Sequence, residues 1–334
     1  MKLLYVGDVH ARPEDLDDCQ ALLDLVYEQA QLYRPDGIIF LGDQHHTHGI
    51  IHLDVIGFWR RNLLKLTGAG LPAGMGFDVT LLVGNHDMSG DLSSPNHAIM
   101  AYQSMDRVFV VDQARAMMSP EMVFLPYMGD NAAFVKKCQE IHATTVVCHQ
   151  EFNGAEYENG FFSSTGVEPA AVPQTLLISG HIHTPQILGK VWYLGAPRWL
   201  TAADANQDRF IYVVEHDSDG SVLSKVAIPT GDVCQRIFQL EDTPAKPLAI
   251  EEGTRHKYIV DIIGPQAWIE ERRPLWAGKA RIRTHRTDQQ IIRLKESEGI
   301  EKALVKFATE FIPPQGTHRD ILLGMVKTRL METT

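Results

Sequence analysis

The sequence predicts an α/β fold, shading into α+β in its later part: a mixed sheet or a two-sheet sandwich flanked by helices, then a smaller second domain. Three observations predict it. Over residues 1–230, short β-rich runs first alternate with helical patterns and then follow one another closely. Almost every early run leads into an Asp, Asn or His, several of them behind a Gly. Near residues 241–253 the composition turns Pro-, Glu- and Ala-rich, as in a linker, before the pattern resumes.

The elements follow in order. Leu3-Leu4-Tyr5-Val6 reads as a buried strand, and 14–33 as a helix with Leu22, Leu25, Val26 and Ala30 on one face. A second strand covers 38–41, and a helix at 50–66 carries Ile51, Val55, Phe58, Trp59 and Leu63. A third strand covers 79–83. Further strands are expected at 122–125, 144–148, 176–179, 191–194, 210–214 and 222–228. Beyond the linker come strands at 258–263 and 280–284 and helices at 266–276, 289–311 and 320–331. The expected domains are therefore 1–240 and 254–334, joined by 241–253. There is no internal repeat and no low-complexity segment.

Composition excludes several classes. A chain of 334 residues has room for about two domains and a sizeable core. With 44% hydrophobic and 22% charged residues it is not largely disordered, and no apolar run approaches the roughly 18 residues of a membrane span. The N-terminus runs too soon into charged residues for a signal peptide. Cys19, Cys138, Cys148 and Cys234 lie far apart, as expected of reduced thiols in a cytoplasmic protein. The net charge of −11 argues against a polyanionic partner, but it is uneven. Residues 1–271 carry −17 and residues 272–334 carry +6.

The chemistry lies at the ends of the early strands. They lead into Gly7-Asp8-Val9-His10, Gly42-Asp43-Gln44-His45-His46, Gly84-Asn85-His86-Asp87, His149, and Gly180-His181-Ile182-His183. In open α/β sheets, ligands gather outside the carboxyl ends of strands, so these clusters are expected to converge. The preceding glycines let the backbone turn sharply and approach the site. Asp, Asn and neutral His offer mixed oxygen and nitrogen donors, suited to Mn²⁺, Fe²⁺ or Zn²⁺ more than to Ca²⁺. Asp43, alone at its turn, has two oxygens to share between two ions. Such ions, about 4 Å apart, would clamp a phosphodiester and lower the pKa of a bridging water. A single Gly-Asp is more often an ordinary turn. Five clusters in order, each after an apolar run, call for another explanation.

This ordered set, D-x-H, G-D, G-N-H-D, a lone H and G-H-x-H, resembles the calcineurin-like metallophosphoesterase superfamily over about residues 3–215. The resemblance implies a four-layer metallophosphoesterase sandwich of two β-sheets flanked by helices, with a dinuclear site at one edge. It implies one metal held by Asp8, His10 and His183, the other by Asn85, His149 and His181, and Asp43 bridging. His86 would stabilise the transition state or protonate the leaving oxygen, and Asp87 would orient His86.

Within the superfamily, Gly-Asp-Gln-His-His and Gly-Asn-His-Asp depart from the G-D-x-x-D-R-G and G-N-H-E of protein phosphatases. Thr184-Pro185-Gln186 and Tyr193-Leu194-Gly195-Ala196-Pro197, after the Gly-His-Ile-His, are similar to the Mre11/SbcD nuclease branch, although Ala196 replaces its usual serine. His149-Gln150-Glu151-Phe152-Asn153-Gly154-Ala155 resembles the same branch. His46 matches a histidine which those nucleases place near the substrate. The compact length is most similar to the phage recombination-endonuclease members.

That branch implies a Mn²⁺-dependent DNA exo/endonuclease subunit of an Mre11–Rad50/SbcCD-like complex, acting in DNA recombination, repair or degradation. Mg²⁺, Fe²⁺ or Zn²⁺ are the alternative metals. The implied partners are DNA and a Rad50/SbcC-like ATPase, with no membrane. A homodimer would form through the 50–66 helix, and the location would be a bacterial or phage-infected host cytoplasm. The second domain would be a small α/β cap, where Arg272, Arg273, Lys279, Arg281, Arg283 and Arg286 would neutralise DNA phosphates or form an ordinary charged surface. Trp268 and Trp276 are expected in its core, and the last helix in core or docked to a partner. His45 is left between site and solvent. His48, His52, His97, His142, His216, His256, His285 and His318 are given no role. Two other readings stand beside the nuclease: a phosphodiesterase for cyclic nucleotides or other small diesters, and a non-catalytic scaffold.

Overall fold

The computed structural model describes residues 1–70, 75–90, 94–117, 119–249 and 253–288. The helices expected at 289–311 and 320–331 lie outside them. The chain starts with β1 (Lys2–Val6), α1 (Leu16–Tyr33), β2 (Gly37–Phe40), α2 (Leu53–Thr67) and β3 (Val79–Leu82). It continues through β4 (Val108–Val111), β5 (Arg115–Met117), β6 (Ser119–Leu125), α3 (Asn131–Glu140), β7 (Thr145–His149) and β8 (Leu176–Gly180). After these come β9 (Gln186–Leu188), β10 (Val191–Tyr193), β11 (Phe210–His216), β12 (Val222–Pro229) and β13 (Ile237–Asp242). The described part ends with β14 (Lys257–Gly264), α4 (Gln266–Trp276) and β15 (Arg281–Arg286).

Two six-stranded sheets run in the orders β12-β11-β1-β2-β3-β4 and β5-β6-β7-β8-β10-β9. Their centres are parallel: β1, β2, β3 and β4 pair in one direction, as do β6, β7, β8 and β10. Strand alternation sorts the core into layers. Leu4, Val6, Ile38, Phe40, Val79 and Leu81 face Leu22, Val26, Phe58, Trp59 and Leu63 of α1 and α2. Leu3, Tyr5, Ile39 and Leu82 turn the other way, onto Met122, Phe124, Val147 and Ile178 of the second sheet. Val146, Cys148 and Leu177 then meet Phe134 and Cys138 of α3. Helices, sheet, sheet and helix make four layers. Because both faces of each sheet are covered, the central strands are continuous apolar runs rather than alternating ones.

Caps explain where the helices stop and start. α1 ends at Arg34 and α2 at Gly68, both left-handed, with amides returning to Ala30 and to Leu64 and Lys65. The Asp130 carboxylate caps α3 through the amides of Ala132 and Ala133. The expectations omit α3, whose two buried residues are too few to mark a helix, the short β4, β5 and β9, and β13. All four cysteines are buried and free. No helix among the described residues is long and apolar enough to cross a membrane.

The described residues divide into two compact units: 1–240 with 253–259, and 241–249 with 260–288. Residues 241–253 are not a bare linker, since Glu241 and Asp242 end β13. The reason is the Asp242 carboxylate, buried and satisfied within the second unit. It accepts from Arg272 Nε (2.7 Å), Trp276 Nε1 (2.7 Å) and the Leu248 amide (3.1 Å).

Thr80 of β3 is fully buried, and among the described residues its hydroxyl has no hydrogen-bond partner. Thr80→Val removes the unmet donor at constant shape, so it is expected to stabilise the protein by about 1 kcal/mol. A higher urea midpoint at unchanged slope is the check.

Candidate metal centre

Five strand ends meet at one edge of the sandwich. β1, β2 and β3 of one sheet deliver Asp8 and His10, Asp43, and Asn85; β7 and β8 of the other deliver His149 and His181–His183. The loops interlock through their own polar groups. The His10 amide donates to the Asp43 carbonyl (2.8 Å), and the His86 amide to Asp43 Oδ1 (2.8 Å). Across the sheets, the His181 amide donates to both Asp8 oxygens (3.1 and 3.2 Å). His10, Asp43 and His181 all adopt positive φ (49°, 52° and 81°), a conformation costly for side-chain-bearing residues and concentrated at functional sites.

Two glycines are dictated by the resulting crowding. A Cβ on Gly84 would lie 2.2 Å from Asp43 Oδ1, and one on Gly42, itself at φ +109°, would lie 2.3 Å from His149 Nδ1.

The seven side chains expected as ligands are brought together. His10 Nε2 lies 3.0 Å from His183 Nε2, and Asn85 Oδ1 lies 2.9 Å from His149 Nε2 and 2.8 Å from His181 Nδ1. Asp43 Oδ2 sits 3.5 Å from His10 Nε2 and 3.3 Å from His149 Nε2, one member of each expected set. Asp8 Oδ1 lies 3.3 Å from His149 Nδ1. The ligand atoms of Asp8, Asp43 and His149 all fall within 4.8 Å of one another, as do those of His10, His46 and His86.

The electrostatics suit a cation. Asp8 and Asp43 are fully buried, and their ion-pair partners among the described residues are histidines. Burial, together with Asp43, raises the Asp8 carboxyl above its ordinary range, against the pull of His149. For Asp43, burial is outweighed by His149, His10 and His86, and its carboxyl is held below that range. His149 is the counterpart: burial opposes its protonation, but Asp43 and Asp8 hold it up to about 9. Two adjacent buried carboxylates, an amide oxygen and four imidazoles, of which His181 and His183 are partly exposed, form the mixed donor set that Mn²⁺, Fe²⁺ or Zn²⁺ accept. The residues fit a pair of divalent ions.

The expected accessory residues divide. His86 faces the same cluster; its Nδ1 lies 2.6 Å from the His46 carbonyl, and burial lowers its pKa. His46 Nδ1 lies 3.3 Å from His10 Nδ1, and burial, with Arg12, lowers His46 to about 4. Asp87 does not orient His86. Its oxygens accept from the amides of His45 (2.9 Å) and Gly84 (3.0 Å), so it braces two loops, while His86 Nδ1 lies against the His46 carbonyl. His45 is buried, with Nε2 3.1 Å from the Tyr102 hydroxyl.

Several residues of the site carry no sequence signal. The His48 ring lies 4.1 Å from that of His86, tilted by 30°. The Tyr127 ring lies parallel to His181 at 5.8 Å. Buried Arg198 binds the Val9 carbonyl through Nε and Nη2 (3.2 and 2.9 Å) and the carboxylates of Asp15 and Asp18 (3.2 and 2.8 Å), clamping the turn after β1. Glu151 and Glu158 stand behind His181 and His183.

In the second unit the expected basic set is broken up. Arg272 is not a surface cation: it pairs with Asp242, donates to the Leu248 carbonyl, and lies over Trp268 and Trp276. Arg286 pairs with Asp288 (3.0 Å), and strand alternation sets it on the opposite face of β15 from Arg281 and Arg283. Arg273, Lys279 and Arg281 are exposed and Arg283 half-buried. Trp276 is buried and Trp268 half-buried, inside the unit as expected.

Residues 1–185 match the calcineurin-like phosphoesterase family, a stretch that holds all seven convergent side chains. Exonuclease subunit 1 of Enterobacteria phage T4 is 25% identical over 230 residues, 66% of this chain and 66% of that protein. The match thus spans just under two thirds of the relative's length. Two solved structures are similar at 14% identity: a hypothetical protein from Thermus thermophilus, over 69% of this chain and 98% of that one with a TM-score of 0.39; and YfcE, a phosphoesterase from E. coli, over 68% and 100% with a TM-score of 0.32.

Proton competition gives the site a pH signature. In the cation-free chain the proton on His149 stabilises the fold below its ordinary value of 6.5, and that contribution is lost as pH climbs through about 9. An arriving divalent ion must displace this proton. Affinity is therefore expected to rise with pH up to that value, with release of about one proton per chain from this ring at neutral pH. Calorimetric titration with Mn²⁺ in buffers of different ionisation enthalpy measures it; uptake without proton release contradicts the assignment.

Proposed function

This chain belongs to the calcineurin-like phosphoesterase family, whose members hydrolyse phosphate esters at a dinuclear metal site, and we propose that it is a metal-dependent phosphodiesterase acting on DNA. The observation that carries the reading is the convergence of seven donors from five strand ends of two sheets. The nuclease assignment is supported by the similarity to a phage exonuclease subunit over 230 residues.

In this reading Asp8, His10 and His183 would hold one ion, Asn85, His149 and His181 the other, and Asp43 would serve both. When bound, the ions, Mn²⁺ first among the candidates, supply an activated water and neutralise charge developing on the phosphodiester. The rest is the work of side chains. His86 keeps its Nδ1 hydrogen for the His46 carbonyl, which leaves Nε2 to meet the substrate. Burial disfavours the charged ring until a phosphodiester brings negative charge; Nε2 would then take up a proton from solvent water and give it to the leaving oxygen. His48 and His46, on its flanks, hold the ring in place.

The same reading makes the second unit a cap, with Arg273, Lys279, Arg281 and Arg283 toward the DNA backbone and a Rad50/SbcC-like ATPase as partner. A homodimer through α2 belongs to it as well; Leu53 and Leu64 of that helix are exposed. A small phosphodiester is the second reading, favoured by the loss of Arg272 and Arg286 from the basic set.

Linear duplex DNA, single-stranded DNA and bis-p-nitrophenyl phosphate, each offered with Mn²⁺ and with Mg²⁺, separate the readings. DNA cleavage strongest in Mn²⁺ is expected, and His86→Ala should reduce it at least about 100-fold with the metals still bound. Turnover of the small diester without DNA cleavage, an ATPase partner included, would select the second reading. A chain with no turnover of either is a scaffold.

A further inference from the structure

The two histidines of Gly180-His181-Ile182-His183 turn different ring nitrogens to the centre. His181 presents Nδ1, 2.8 Å from Asn85 Oδ1, whereas His183 presents Nε2, 3.0 Å from His10 Nε2. As ligands they need opposite tautomers, with the hydrogen on Nε2 of His181 and on Nδ1 of His183. The segment after β7 places a carboxylate behind each. Glu158 Oε1 lies 3.0 Å from His183 Nδ1, and Glu151 Oε2 lies 3.9 Å from His181 Nε2.

The segment is built to hold those carboxylates still. The other oxygen of Glu151 accepts from the Tyr157 hydroxyl (2.6 Å) and from Ser163 Oγ. The backbone folds on itself through Tyr157 N to Phe161 O (2.8 Å), Ser163 N to Ala155 O (2.8 Å) and Val167 N to Glu151 O (2.9 Å). Gln186 of β9 pins its middle from outside: its Oε1 accepts from the Glu156 amide (2.8 Å), and its Nε2 donates to the Glu156 carbonyl (2.7 Å). Three glutamates within eight residues, with no Lys or Arg among them, make a poor surface for a polyanion and a good one for imidazole N–H groups.

We infer that residues 151–158 form a two-carboxylate clip, in which Glu158 and Glu151 are positioning residues that fix opposite tautomers on His183 and His181. A ligating imidazole whose far nitrogen donates to a carboxylate is both oriented and made a better donor, and loss of such a partner costs about 10–100-fold in metal affinity. The inference rests on the dinuclear reading above. Glu158 stands at hydrogen-bond distance and Glu151 at ion-pair distance, so Glu158 carries the larger share.

The test uses the full chain and Mn²⁺ titrated calorimetrically into wild type, Glu158→Ala, Glu158→Gln, Glu151→Ala and Phe161→Ala. Glu158→Ala is expected to weaken one ion by about 10–100-fold and Glu151→Ala the other by less. Glu158→Gln keeps an oxygen to accept the Nδ1 hydrogen and should recover part of the loss. Phe161→Ala, an exposed change in the same segment, should bind as wild type. Histidine ring ¹⁵N resonances of the Zn²⁺-loaded chain read the tautomers directly, and His183 should lose its single Nδ1–H form in Glu158→Ala. Thermal melting shows which variants are folded, and Glu158→Gln stands in should the alanine variant unfold. If wild type takes up two ions and the glutamate variants bind them equally, with tautomers unchanged, the clip is wrong and the centre stands. If wild type takes up none, the dinuclear reading falls and the clip with it.

Discussion

Asp8 and Asp43 lie buried, their oxygens a few ångströms from the same imidazole, and among the described residues neither pairs with a lysine or arginine. Desolvating a carboxylate costs several kcal/mol even after relaxation, and two side by side also repel. His149, held protonated to about 9 by the two carboxylates, answers that charge only in part. Much of the surrounding structure follows from keeping this arrangement. Gly42 and Gly84 remove the side chains that would push the loops apart. The left-handed backbone at His10, Asp43 and His181 turns ligand atoms inward. Arg198 anchors the first of these turns from behind by way of the Val9 carbonyl.

The four-layer sandwich makes such strain affordable. Each central strand is packed on both faces, so the turns at its carboxyl end extend from a rigid base. Local cost at the edge is offset by cohesion in the layers beneath, as is common for functional sites. The second unit shows a different use of buried charge. There Asp242 is matched by a guanidinium and an indole N–H, and the group serves packing alone.

Much of the centre was legible in the sequence because its residues follow apolar strands at fixed short offsets. Asp8, Asp43 and Asn85 come two or three residues beyond β1, β2 and β3, and parallel strands bring their ends to one edge. The residues that support the centre follow no such rule. Glu158 sits nine residues past His149 in irregular chain, and its role depends on how that segment folds back. Asp87 illustrates the converse: adjacency to His86 suggested a partnership, yet its carboxylate meets the amides of His45 and Gly84. The basic cluster misled for the same reason, since composition counts Arg272 as surface charge while packing places it against two indoles.

By itself the sequence determined the layers and the residues that converge at their edge, because hydrophobic period and strand-end position are local properties of the chain. It also carried the family resemblance, in the order and spacing of the five clusters. The tertiary structure alone decided which nitrogen of each histidine faces inward, what stands behind it, and which arginine is buried. Those outcomes depend on groups far apart in the chain: Asp8 meets His181 across 173 residues, and Arg198 reaches Val9 across 189. No local pattern encodes contacts of that separation, which arise only when two sheets close on one another.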